Sequence, residues 1–444
     1  MRQITKKIAV LLLCAAVMTF ATASVQAANL YWDTSTDAGY QPGDGNWATD
    51  AYWTLNGTTL QGWGGASDYA YLQAAGTSNI ALGGASVNRA FFDSKYGDSL
   101  WNISGNLTSN RIYVDTTVND YDTTVNMSSG YVTVADYFRI GTTQNLKDSI
   151  SIFNLSGGTV EVQSLNGIAL GSQSGTSELN ISGGKLTNSG YIYMAACSND
   201  NQILTASLTL SGTGIAEFDN TSTIFELGRN SKSTSDITAI INLNVGGTLS
   251  TSRSITQAAG QTLAAGIFNF NGGTFKALDG SNATWIDGLA GAGSMVQILD
   301  GGALIDTNSY DMGITEALVT DGVGNGGLTK LGLGKLTLSG YNTYTGDTLV
   351  DDGTLSLAED CLVDNSAVWI DANAVLDLTH SLTDTVGALY FDGVAQAPGI
   401  YNAANSGGFI SGTGSLQVVP EPSTLALLAC GLFGLIAYAW KKRK

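Results

Sequence analysis

Residues 153–162 read "FNLSGGTVEV", and the same phrase recurs along the chain. Two copies come earlier, "WNISGN" (101–106) and "VNMSSGYVTV" (125–134). Later copies are "LNISGGKLTN" (179–188), "LTLSGTGIAEF" (208–218), "LNVGGTLS" (243–250, one residue shorter) and "FNFNGGTFKA" (268–277). With the first glycine as ruler, Ser129 standing in for it in the second copy, the copies fall at 105, 129, 157, 183, 212, 246 and 272. Steps of this size between copies fit the coil of a solenoid. Between them runs a second phrase, "DYFRIGTTQ", "NGIALGSQS", "GYIYMAACS" and "TIFELGRNS", each a short apolar strand closed by a small residue and a polar turn.

Side chains alternate along a strand, so Phe153 and Leu155 point one way and Asn154 the other. A lone strand cannot bury Phe153. Stacked on the next coil it meets Leu179 and Ile181, then Leu208 and Leu210, in one apolar column. The glycines permit the sharp turn that follows. The fold expected is all-β: a parallel β-helix (β-solenoid). Its outward face carries Asn102, Asn126, Asn154, Asn180 and Asn269, with Thr209 as the exception. Such a row forms an amide ladder along the stack, or offers donors and acceptors to a glycan.

Composition agrees. The chain has 444 residues, 56 glycines, 4 prolines and 13% charged residues, low for a soluble domain and suited to short strands and turns. Only Pro42 and Pro398 lie in the body, where proline would remove ladder donors. Net charge is −18; without the seven terminal cations and Glu421, 12 basic and 36 acidic residues remain, about −24. That charge repels nucleic acid and anionic lipid, and it tolerates neutral glycans or divalent cations. Of the cysteines beyond the leader, Cys197 and Cys361 stand 164 positions apart, which makes no disulfide framework.

Both ends read as addresses. Residues 1–27 have basic Arg2, Lys6 and Lys7, an apolar core from Ile8 to Phe20, and a small-residue exit at Val25-Gln26-Ala27, the pattern of a signal peptide. At the other end Pro420-Glu421-Pro422 precedes the uncharged run 425–440 and the basic stop Lys441, Lys442, Arg443 and Lys444. Sixteen residues span about 24 Å as a helix, the short end for a single transmembrane helix. Residues 419–444 resemble the PEP-CTERM sorting signal. The resemblance implies secretion, a transient hold in the inner membrane, processing by an exosortase, and delivery to the cell surface or extracellular matrix of a polysaccharide-producing bacterium.

Residues 326–357, "GGLTKLGLGKLTLSGYNTYTGDTLVDDGTLSL", resemble the autotransporter-associated β-strand repeat. The resemblance implies a β-helical passenger region, with Leu336/Leu338, Leu349 and Leu355/Leu357 inward and Gly340, Gly346 and Gly353 at turns. Residues 383–419 look like the closing segment of such proteins, and no membrane barrel follows. The mature start, "NLYWDTSTDAGYQPGDGNWATDAYWT", resembles their tryptophan-rich opening. Trp32, Trp47, Trp53 and Trp63 are therefore either an aromatic cap over the first coil or contacts for a glycan.

Catalytic signatures do not emerge. His380, the single histidine, sits in a polar turn and is expected at the surface. Neither a metal set nor a nucleophile motif accompanies it, and no cofactor is expected. Asp351/Asp352 and Glu359/Asp360 are sequence neighbours that point to opposite faces of a strand. The chain divides into a signal peptide (1–27), a tryptophan-rich cap with the first coils (28–100), solenoid repeats (101–325), the β-strand repeat (326–357), terminal coils (358–418) and the sorting signal (419–444). The function expected is that of a non-enzymatic structural or adhesive protein. Its partners would be the exosortase, the exopolysaccharide and other surface proteins, with no nucleic acid. The alternative is a β-helical polysaccharide lyase or hydrolase, or a glycan-binding module.

Overall fold

The computed structural model describes residues 27–419 apart from 143, 147, 221–222, 231–234, 258–263 and 280–283, together with 431–433, 435, 438 and 440–442. The signal peptide's residues 1–26, the motif Pro420-Glu421-Pro422, most of the apolar run, and Arg443 and Lys444 lie outside the described residues. Among those described, no helix is long and apolar enough to cross a membrane.

The chain is an all-β parallel β-helix, 53% strand and 2% helical. Each coil of its first two-thirds lays one strand on each of three faces. The first face is an 11-stranded sheet that runs through Thr123–Ser129, Ile150–Leu155, Gly175–Ile181, Ile203–Leu210, Asp236–Asn244 and Ala264–Asn271. The second and third belong to one 28-stranded sheet. They stay joined because Ala85–Asp93, Leu107–Asp115 and Tyr131–Ile140 run along one face and bend onto the next. Further along, the corner opens and the coil contributes separate strands, as in Thr159–Val162 followed by Ile168–Ser172.

The register is that of the repeated phrase. Phe153 lies opposite Leu179, which lies opposite Leu208; Leu155 lies opposite Ile181, then Leu210. These side chains are at most 2% exposed, so the apolar column expected from the alternation is the core. Gly158 shows why the phrase ends on glycine. Its φ is +79°, and a Cβ there would lie 2.5 Å from the Gly130 carbonyl of the preceding coil.

Both ends of the stack carry antiparallel strands over what would otherwise be open edges. At the start, Trp53–Thr54 pairs with Tyr31 and Trp32, and Leu60–Gln61 pairs with Trp53–Thr54. At the far end, Val394–Ala395 folds back on Ala388–Phe391, and Gly399–Asn402 on Ser415–Val418.

Within the repeat at 326–357, Leu336, Leu338, Leu355 and Leu357 are fully buried as expected. Leu349 is not inward. Its strand Thr348–Val350 stacks on Leu328–Leu331 and Ala367–Ile370 so that Thr348 and Val350 continue the core columns, which turns Leu349 outward. The register of the neighbours outweighs the larger side chain. The inward position left between Ile305 and Val350 is filled by Lys330, fully buried.

Candidate functional site

The amide row expected on the first face is present, and its members hydrogen-bond one another. Asn102 Nδ2 donates to Asn79 Oδ1 (2.9 Å), Asn126 to Asn102 (2.8 Å), Asn154 to Asn126 (2.8 Å) and Asn180 to Asn154 (3.0 Å). Past Thr209 the row resumes, with Asn242 Nδ2 donating to Thr209 Oγ1 (3.3 Å) and Asn269 Nδ2 to Asn242 Oδ1 (2.9 Å). Every amide donates toward the N-terminal end. Apart from Asn269 Oδ1, which is buried without a partner, the rungs spend their bonds on one another, so the row stabilises the stack and leaves little for a ligand.

The four tryptophans of the opening meet in one cluster. Trp53 lies 5.3 Å from Trp32, 4.9 Å from Trp47 and 4.7 Å from Trp63, centroid to centroid. Trp32, Trp47 and Trp53 are completely buried, so none of these rings offers a face to a sugar, while Trp63 is partly exposed. Trp53 Nε1 donates to the Trp47 carbonyl (3.1 Å), and Trp63 Nε1 to that of Ser86 (3.0 Å).

A second aromatic feature was not anticipated. On the outer side of the third face Tyr31 stacks on Tyr71, Tyr71 on Phe91 and Phe91 on Tyr113, at 4.6–4.9 Å. The Arg139 guanidinium then lies over Tyr113, 4.5 Å from the ring centroid, and pairs with the buried Asp115. Each ring covers the next, leaving mainly edges to solvent. The signal was legible as an aromatic recurring at the same outward position of each coil, Tyr71 in "YAYL", Phe91 in "AFFD" and Tyr113 in "IYVD".

Beneath this face, carboxylates meet amides at the corner. Asp93 accepts from Gln73 Nε2 (2.7 Å) and from the amide and hydroxyl of Thr117 (3.1 and 3.0 Å). Burial pushes its carboxyl up to about 6, with the Asp115 carboxylate adding to the rise. His380 departs from expectation: it is 9% exposed, because the last coil folds over it and Thr413 Oγ1 donates to its carbonyl (2.9 Å). Its Nδ1 accepts from the Leu382 amide (3.2 Å). Cys197 and Cys361 are both buried with no disulfide between them. The Cys197 thiol donates to the carbonyls of Gln173 and Asn199, and Asn342 Nδ2 donates to Cys361 Sγ.

A concave feature with ligand dimensions lies on the second face. It is a groove of about 590 Å³. Its floor is one outward residue per coil, Leu304, Thr329, Leu349 and Trp369, brought into line by the parallel register. Asp300, Asn325 and Asp347 form one wall and Asp371 the other. Trp369 is held flat against Tyr390 of the next coil, with centroids 3.5 Å apart and planes within 3°. Asp371 follows its strand at the position that Asp351 and Asp392 take in the neighbouring coils. Partial burial, both of those carboxylates and a hydrogen bond with Asp351 raise the Asp371 carboxyl. Asp351 and Asp352 are neighbours only in sequence; stacking brings Asp351 beside Asp371 instead. Among the described residues, no group of three or more His, Cys, Asp or Glu side chains could hold a metal ion.

Comparison with known proteins places two landmarks on this architecture. The passenger-associated-transport-repeat model matches residues 328–357, the stretch that supplies Thr329, Asp347 and Leu349 to the groove. The PEP-CTERM protein-sorting motif matches residues 418–444, where Lys441 and Lys442 are described and exposed. A similar curated protein is the Adhesin BmaC autotransporter of Brucella suis biovar 1 (strain 1330), 32% identical over 124 residues. That match covers 26% of this chain and 3% of the adhesin, so this chain spans only a small part of that relative's length. No solved structure matches. The chain thus carries a passenger-type repeat inside a parallel β-helix and a PEP-CTERM sorting motif behind it, and the motif points to an exported cell-surface protein.

Proposed function

We propose that this chain is a non-enzymatic adhesive rod of the bacterial surface or exopolysaccharide matrix, exported through a signal peptide, held transiently in the inner membrane and processed by an exosortase. One observation carries the reading: a passenger-type repeat forms coils of the rod while a sorting motif occupies residues 418–444. The adhesin similarity supports it over 26% of the chain. A stiff stack that repeats weak contacts gains avidity beyond any single contact, which suits adhesion better than turnover.

The rival, a β-helical polysaccharide hydrolase, has the Asp351–Asp371 contact beside Trp369 in its favour. A hydrolase needs its two carboxyl groups about 5–9.5 Å apart across the scissile bond. Asp351 and Asp371 follow their strands at the same turn of adjacent coils, on one side of the floor, so they do not face each other across a bound sugar linkage.

The test is a deletion strain complemented with the wild-type chain or with Pro420→Ala/Pro422→Ala. Wild type restores surface protein and matrix cohesion. The double variant remains unprocessed in the inner-membrane fraction. Normal cohesion in the deletion strain, or normal surface release of the double variant, overturns the reading. Reducing ends or unsaturated uronates released from the host polysaccharide by purified protein would establish the hydrolase or lyase instead.

A further inference from the structure

The groove on the second face differs from the other faces in what it leaves unused. The asparagine rungs are hydrogen-bonded to one another, and the Tyr31–Tyr113 rings cover each other. In the groove, half-buried Leu304, Leu349 and Trp369 keep part of their apolar surface open. Gly301, Gly302 and Gly327 line it as well, and residues without side chains leave the trough open. Its volume of about 590 Å³ lies within the roughly 300–1,000 Å³ of small-molecule sites.

The walls set the charge of what can enter. Asp300 Oδ1 accepts from the Asn325 amide (3.1 Å), and Asp347 Oδ1 accepts from the Ala367 amide (2.7 Å). These bonds fix both carboxylates in place while occupying one oxygen of each. Asp371 faces them across the floor, and among the described residues no lysine or arginine lines the groove. The repeat's own Lys330 is turned into the core and held by three backbone carbonyls. A pinned indole favours both the C–H face of a sugar and an ammonium group.

We propose that this groove is a subsite for an amine-bearing polysaccharide, a polymer of hexosamine carrying free ammonium groups; the assignment rests on the adhesive reading above and names its ligand class. The sugar faces lie along Leu304, Leu349 and Trp369, and the ammonium groups meet Asp300, Asp347 and Asp371. Uronate polymers are excluded, because their carboxylates would face those walls without a counter-charge. Acetylated hexosamine lacks the charge that the walls complement.

The test uses the full-length protein in mild detergent, titrated with glucosamine hexamer, N-acetylglucosamine hexamer and galacturonate hexamer, followed by calorimetry and tryptophan fluorescence. The glucosamine hexamer is expected to saturate, to weaken with added salt, and to bind about tenfold or more tighter than the other two. Trp369→Ala should weaken it about tenfold. Thr329→Arg, which fills the floor from the solvent side, should abolish binding while the unfolding temperature stays unchanged. Absence of saturable binding, equal affinity for the acetylated hexamer, or calcium binding alone overturns the assignment. Unaltered binding by Thr329→Arg, or capture of a protein partner there in place of the oligomer, does so too. Surface delivery is measured by fractionation, so the two readings fail separately.

Discussion

Lys330 occupies a core column of the β-helix, and its replacement by methionine isolates what a buried charge does there. The ammonium donates to the carbonyls of Leu331 (3.0 Å), Gly332 (2.6 Å) and Asp352 (3.0 Å), tying its own turn to that of the following coil. Burial holds its proton affinity down, from an ordinary value of 10.5 to about 8, against the pull of Asp352, Asp306 and other carboxylates. A drop of that size corresponds to about 3 kcal/mol. Below pH 8 both folded and unfolded chains carry the charge, and the full cost of burying it is present. Between pH 8 and 10.5 the unfolded chain keeps a proton that the folded chain has released. Stability contributed by this residue therefore rises with pH across that window. At pH 7, Lys330→Met takes a donor from three carbonyls, of which those of Leu331 and Gly332 still accept from Thr307, and removes the charge; these effects oppose, leaving a change within about 2 kcal/mol. At pH 10.5 the variant should fall behind wild type by about 3 kcal/mol more. The assay is urea unfolding of both proteins by circular dichroism at pH 7, 9 and 10.5. Taking the difference cancels Arg253 and Tyr344, which are present in both. A difference independent of pH would refute the argument.

Three further perturbations test the stack. Asn154→Leu removes the rungs to Asn126 and Asn180 and should lower stability by about 1–3 kcal/mol in thermal or urea unfolding, whereas a change within error would mean that water replaces the ladder. Gly158→Ala places a side chain at φ +79° and against the Gly130 carbonyl, so a loss of about 2 kcal/mol or more is expected, with faster hydrogen exchange in Tyr131–Ile140. Asp93, raised to about 6, holds a proton in the folded chain between pH 3.8 and 6 that the unfolded chain has lost, so its contribution falls as pH rises through that window. Asp93→Asn should therefore stabilise at pH 7 by up to about 3 kcal/mol, with the gain disappearing below pH 4; Gln73 Oε1, buried without a partner, can accept the new amide after a flip.

What the sequence disclosed followed from how often a signal repeats. The alternation in "FNLSGG" recurs in successive coils, and the buried columns through Phe153 and Leu155 lie where that alternation puts them. The amide row was visible for the same reason. Leu349 was misread because so short a strand carries too little alternation to fix its own face; its neighbours' register decided. Lys330 was missed because hydropathy counts a lysine as outside, and only the three-dimensional turn shows carbonyls within its reach. The groove was invisible for a third reason. Leu304, Thr329, Leu349 and Trp369 are distant in the chain and unlike one another, so no sequence pattern links them until the coils stack.

The passenger-type repeat also explains why the concave surface lies where it does. Upstream, the aligned glycines stand at 157, 183, 212 and 246, and each coil places a strand on the first face. In the repeat, Leu328 is matched by Thr348, Leu336 by Leu355 and Thr348 by Val368, a shorter step along the chain in every case. Shortening follows from dropping the first-face strand, whose sheet ends at Leu318–Thr320, so that the chain returns to the second face through a turn closed onto glycine. A Cβ at Gly346 would sit 2.5 Å from the Asn325 carbonyl, and one at Gly353, where φ is +65°, 2.5 Å from that of Leu333. Turns this tight project no side chains over the neighbouring strand, so the outward residues of the second face stay uncovered. The geometry that lets the coil be short thus also exposes Thr329 and Leu349 as a floor. Lengthening the Gly346 turn should close the groove without disturbing the rod: a short insertion there would preserve the β-sheet circular dichroism signal while eliminating binding of glucosamine hexamer. Retained binding with the insertion in place would mean that the groove does not depend on the short turns of the repeat.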